Sequence, residues 1–98
     1  MPIVFVISAD WTLRAGVRAE LRERGVEALG MERLADATSA IAAARLPSAI
    51  VLDCGEGQPE DANPESVAPL ARTAPILAIV PGSGMALPIS GAARVLRR

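Results

Sequence analysis

The residues best placed to do chemistry in this chain stand at the ends of apolar runs. Ala49-Ile50-Val51-Leu52 stops abruptly at Asp53-Cys54-Gly55, which puts a carboxylate where a buried strand would emerge. A second carboxylate, Asp10, follows the run Ile3 to Ile7 after Ser8 and Ala9. Ligands and modifications in parallel sheets belong at the carboxyl ends of the strands, so both positions are candidates for a site. Each carboxylate also has a structural use. Asp53 can accept N–H bonds from the loop after it, and Asp10 can cap the helix that follows. Cys54 has no cationic neighbour in sequence to lower its pKa and is expected to be an inert small side chain.

What is missing narrows the chemistry further. The 98 residues contain no His, no Lys and no Tyr, and all ten basic residues are Arg. Imidazole general bases, imidazole metal ligands, phosphohistidine, Schiff bases and a phosphate-loop lysine are therefore excluded, and no enzymatic activity is expected. A net charge of -1 removes the electrostatic case for nucleic acid or an anionic membrane as the main partner. No apolar run approaches the roughly 20 residues of a membrane span. The opening Met1-Pro2-Ile3-Val4-Phe5-Val6-Ile7 lacks the basic flank and cleavage end of a signal peptide, and the single cysteine cannot form an internal disulfide. A reducing cytoplasm is the expected compartment. With 51% hydrophobic residues the chain should fold, as one domain spanning residues 1–98.

The elements that must position these residues follow from periodicity. Ile3 to Ile7 is apolar without alternation, as in a strand covered on both faces. After the Asp10 cap, Leu13, Val17 and Leu21 repeat every four residues, beside a stripe of Arg14, Arg18 and Arg22 expected to be a solvated face. Gly25 ends that helix. Val26 to Met31 predicts a weak second strand. Asp36 is expected to cap a second helix running to about Arg45, with Pro47 as its stop. Glu56 to Ala62 is expected to be an acidic, flexible loop. Asn63-Pro64 then opens a third helix, which Pro69 should shorten or kink. Pro75 precedes the strand Ile76 to Val80. Pro81-Gly82-Ser83-Gly84 has turn chemistry, and Ala93 to Leu96 reads as a fifth, edge strand. Trp11, beside the first strand's end, is expected to pack against the fold. The order βαβαβαβ(loop)β predicts a flavodoxin-like, doubly wound α/β fold. Its parallel sheet has five strands in the order 2-1-3-4-5, with the fourth helix reduced and the fifth absent.

Four segments carry a family resemblance: Val4-Phe5-Val6-Ile7-Ser8-Ala9-Asp10-Trp11-Thr12-Leu13-Arg14, Pro47-Ser48-Ala49-Ile50-Val51-Leu52-Asp53, Ala74-Pro75-Ile76-Leu77-Ala78-Ile79-Val80 and Gly91-Ala92-Ala93-Arg94-Val95-Leu96-Arg97-Arg98. In their arrangement the chain resembles the receiver domain of two-component response regulators. The resemblance implies that Asp53 stands at the phosphoacceptor position. It also implies that the other pocket positions have changed. Where the family holds Mg2+ with an acidic pair, this chain has Ser8 and Ala9, with Asp10 beside them. Val80 stands at the switch Thr or Ser position, Arg98 or Arg97 at the Lys position, and Val95 at the switch aromatic.

Without its acidic pair the site has only Asp10 and Asp53 left for Mg2+, so no cofactor is expected. Arg98 could instead hold Asp53 as a permanent ion pair. The expected function is that of a pseudo-receiver, a protein-interaction module in two-component, phosphorelay-type signalling. Its partner would be a sensor kinase or an effector domain, and a homodimer would cover the apolar surface left by a missing last helix. Two alternatives stand beside it. One is a genuine phosphoreceiver using Asp53. The other is a small-molecule or nucleotide-binding α/β domain, which lacks a glycine-rich fingerprint after the first strand. A dehalogenase-like phosphatase would want a second Asp where Gly55 stands.

Overall fold

Period-2 alternation in the central strands distributes apolar side chains to both sides of one sheet, and helices cover both. The computed structural model describes residues 2–80 and, as backbone, 92–97. In chain order the elements are β1 (Ile3–Ile7), α1 (Trp11–Glu23), β2 (Glu27–Met31), α2 (Leu34–Ala42), β3 (Ala49–Asp53), α3 (Pro64–Thr73), β4 (Ile76–Val80) and β5 (Ala92–Arg97). All pairings are parallel and the strand order is β2-β1-β3-β4-β5, the order expected from the sequence. Ile7 pairs with Leu52 and Leu52 with Ala78, so β1, β3 and β4 end close together. The expected reduction of the fourth helix, and the turn Pro81 to Gly84, fall on residues 81–91, outside the described residues.

The core has two layers. On one face Phe5, Ile7, Ile50, Leu52 and Ile76 pack with Leu34 of α2 and Val67 and Leu70 of α3. On the other, Val6, Ala28, Val51 and Ile79 meet Leu13, Val17 and Leu21 of α1. Full burial of a side chain such as Phe5 or Ile50 contributes about 1.5–3 kcal/mol, so the central strands hold the sheet in register. The α1 stripe is the predicted one. Trp11, however, is 70% exposed rather than packed, because it lies two residues before Leu13 and hence about 200° around the helix from the inward stripe. Nor are Arg14 and Arg18 simply solvated. Both are half-buried, and their stems cross Gly30 of β2, where an added Cβ would lie 3.0 Å from Arg18 Cδ.

Helix ends follow local chemistry, with one long-range exception. Asp10 accepts N–H bonds from Thr12 and Leu13 at the start of α1, and Gly25 ends that helix at φ 77°. Asn63 and Ser66 form the cap of α3. Pro69 has no N–H to give, yet α3 continues to Thr73, whose hydroxyl donates to the Pro69 carbonyl at 3.1 Å. α2 departs from expectation at both ends. It starts at Leu34 rather than after Asp36, which instead accepts from Arg33 N–H. The Leu34 and Ala35 N–H groups donate, at 2.9 Å each, to the carboxylate of Asp61. The other end stops before Pro47, because Ala44 takes a left-handed φ of 66°.

Two outcomes follow from these termini. Ala44→Gly should raise stability by about 0.5–1 kcal/mol, seen as a higher urea midpoint with unchanged slope, because glycine carries no Cβ penalty there. Asp61→Ala should cost about 1–2 kcal/mol and speed amide exchange at Leu34 and Ala35, whereas a surface carboxylate without a capping role would cost almost nothing.

Candidate functional site

Asp53 is the last residue of β3, two positions after Val51, and so lies on the α1 side of the sheet. It is 0% exposed, as is Ser8 just past the end of β1. A carboxylate taken out of water requires donors, and the chain supplies them locally. The Ser8 hydroxyl donates to Asp53 Oδ2 at 2.9 Å, and the Gly55 N–H donates to Asp53 Oδ1 at 2.9 Å. Ser8 Oγ in turn accepts from the Asp10 N–H at 3.0 Å. The carbonyl of Ser8 accepts from Arg14 Nη1, which ties α1 to the same corner.

The loop between β3 and α3 closes over this pair. The Gly57 carbonyl accepts from the Ala9 N–H at 2.7 Å and lies 3.3 Å from Ser8 Oγ. A Cβ added at Gly57 would sit 2.3 Å from Asp53 Oδ2, 2.6 Å from Ser8 Oγ and 2.8 Å from Asp10 Cβ. The space above the carboxylate is therefore filled by loop backbone. Turns at Gly55 to Gln58 and Pro59 to Ala62 shape the loop, and Asp61 anchors its far end on α2. Expected as flexible, the segment is instead fastened at three places, while Glu56 and Glu60 keep their side chains in solvent. Sequence reasoning passed over Gly57; a glycine between Glu56 and Gln58 reads as ordinary loop composition.

The other expected site residues are distributed as follows. Ser8, Ala9, Asp10 and Asp53 come together. Val80 ends β4 and is buried. In the register of β4 with β5, Val80 pairs with Arg97, and Arg98 lies outside the described residues. Asp10 and Asp53 do not form a cation site: Asp10 Oδ1 is engaged by two helix N–H groups, and Asp53 is bound from the side by a serine hydroxyl. Among the described residues no three His, Cys, Asp or Glu side chains gather as metal ligands. The residues present thus do not fit Mg2+, whose binding relies on carboxylate oxygens with room for several waters.

The fold has counterparts among solved structures. A response regulator receiver protein from Burkholderia phymatum superposes with a TM-score of 0.73 at 18% identity, covering 100% of this chain and 83% of the other. The response regulator TrrA from Thermotoga maritima, solved in complex with Mg2+-BeF, gives 0.75 at 17%, covering 100% and 87%. A two-component response regulator from Clostridium difficile gives 0.77 at 13%, covering 100% and 84%. The chain has the receiver-domain fold. No protein-family model and no curated protein sequence matches it. In this receiver-like fold the β1 and β3 ends meet through the Ser8 hydroxyl, with Gly57 of the loop against them.

Cys54, next to the buried carboxylate, is itself buried. Burial first, and the negative charge of Asp53 second, push its thiol up to about 11. The folded state thus favours the neutral thiol. That contribution is fully present below the thiol's unfolded pKa and is lost as pH rises through about 11. Iodoacetamide at pH 8 should leave Cys54 unmodified in the native chain and alkylate it in urea; rapid native labelling would contradict the burial.

Proposed function

We propose that this chain is a receiver-like signalling domain that works as a protein-interaction module without phosphorylation. The carrying observation is the state of Asp53, a wholly buried carboxylate held by Ser8 and Gly55 beneath the backbone of Gly57. Phosphoryl transfer to a carboxylate requires a divalent cation to offset the charge of the phosphoryl oxygens, and an open line of approach to the attacking oxygen. Here the β1 end offers a hydroxyl and a methyl group, and the approach is occupied. The hydrogen bonds that satisfy Asp53 hold the strand ends in one arrangement, which suits a surface read by a sensor kinase or an effector domain. A homodimer is a further form this module could take, and a cytoplasmic setting fits it. Among the described residues no helix is long and apolar enough to cross a membrane.

The phosphoreceiver reading keeps one observation in its favour: Asp53 ends β3 in the same fold that, in TrrA, was solved with Mg2+-BeF. The small-molecule reading is disfavoured, because loop backbone fills the crevice between the ends of β1 and β3.

Incubation with acetyl phosphate and Mg2+, followed by intact-mass measurement, separates the two main readings. The expected result is an unchanged mass under forcing conditions. A Mg2+-dependent phosphoryl adduct, absent from an Asp53→Asn control, would replace the phosphorylation-independent reading with the phosphoreceiver one.

A further inference from the structure

Resting on that reading of the pocket, we infer that the β3–α3 loop is an intramolecular plug, that Gly57 is its tip, and that only glycine at this position lets it seat. The carbonyl of Gly57 takes the Ala9 N–H at 2.7 Å and its α-carbon lies over the Asp53 carboxylate. A methyl group there would stand 2.3 Å from Asp53 Oδ2 and 2.6 Å from Ser8 Oγ, well inside van der Waals contact. Neither neighbour can yield easily. Asp53 is fixed by Gly55 N–H on its other oxygen, and Ser8 is held by its bonds to Asp53 and to the Asp10 N–H.

The plug is also tethered at its far end. Asp61 accepts the first N–H groups of α2, and the Ser66 hydroxyl at the start of α3 donates to the Asp61 carbonyl at 2.6 Å. The state of the pocket is thereby coupled to the starts of two helices. The regulation this builds in is self-occupancy: a segment of the chain holds the position a diffusible group would need, and the carboxylate stays dry.

Amide hydrogen exchange on the full chain tests the plug, comparing wild type with Gly57→Ala, Ser8→Ala and Gly16→Ala. Gly16, inside α1, has nothing within 4 Å of an added Cβ and serves as the control. Gly57→Ala should raise exchange at Ala9 and across residues 55–62 by about tenfold or more, with β1, β3 and β4 still protected and Gly16→Ala like wild type. Wild-type exchange at Ala9 in Gly57→Ala would overturn the inference. If Gly57→Ala loses strand protection as well, Ser8→Ala decides, because it cuts the hydroxyl link between Asp53 and the loop without adding volume. Faster loop exchange with protected strands in that variant supports the plug, and unchanged loop exchange overturns it. The two ideas fail separately: a phosphoryl adduct on the wild-type chain sinks the phosphorylation-independent reading, whereas indifference of Ala9 to Gly57→Ala sinks the plug.

Discussion

A carboxylate with no exposure to water must find donors for its lone pairs inside the protein, and the bond from the Ser8 hydroxyl to Asp53 is where that requirement organises the fold's working end. Meeting it brings the end of β1 against the end of β3. Filling the second oxygen draws in the Gly55 N–H, which starts the loop back across the sheet. Once the loop turns, Gly57 lands on Ser8 and Ala9, and Asp61 reaches the start of α2. One buried charge thus accounts for the course of a segment whose composition alone suggests a mobile acidic strand of loop.

The sheet makes this possible by being rigid where the site needs rigidity. β1 and β3 are apolar on both faces, and their alternating side chains are packed by α1 on one side and by α2 and α3 on the other. A residue that ends such a strand inherits its position. Arg14 extends the same logic from the helix side, since its guanidinium holds the Ser8 carbonyl while its stem lies across Gly30. The missing Cβ at Gly30 and the missing Cβ at Gly57 do comparable jobs, each letting another group approach where a side chain would otherwise stand.

Similarity to solved receiver domains at 13–18% identity carries the architecture and leaves the chemistry to the residues of this chain. Those residues place a carboxylate at the end of β3 beside the end of β1. A serine hydroxyl donates to it, and loop backbone lies above it. Asp53 accepts from the Ser8 hydroxyl and the Gly55 N–H, and the loop closes over that pair.

Several parts of this were legible in the chain alone. The unbroken apolar runs of β1, β3 and β4, the four-residue repeat of α1, and the caps at Asp10 and Asn63 follow from local periodicity and backbone valence, which depend on near neighbours in sequence. The parallel, doubly wound sheet followed from the alternation of strands and helices. The identity of α2's cap, the half-burial of Arg14 and Arg18 and the closure of the pocket by Gly57 were decided by tertiary structure. Each depends on which surfaces meet across separations of up to 49 residues, as between Ser8 and Gly57. A glycine in a loop and an aspartate before a helix carry no mark of the distant group they will touch; only the folded sheet brings that group within reach.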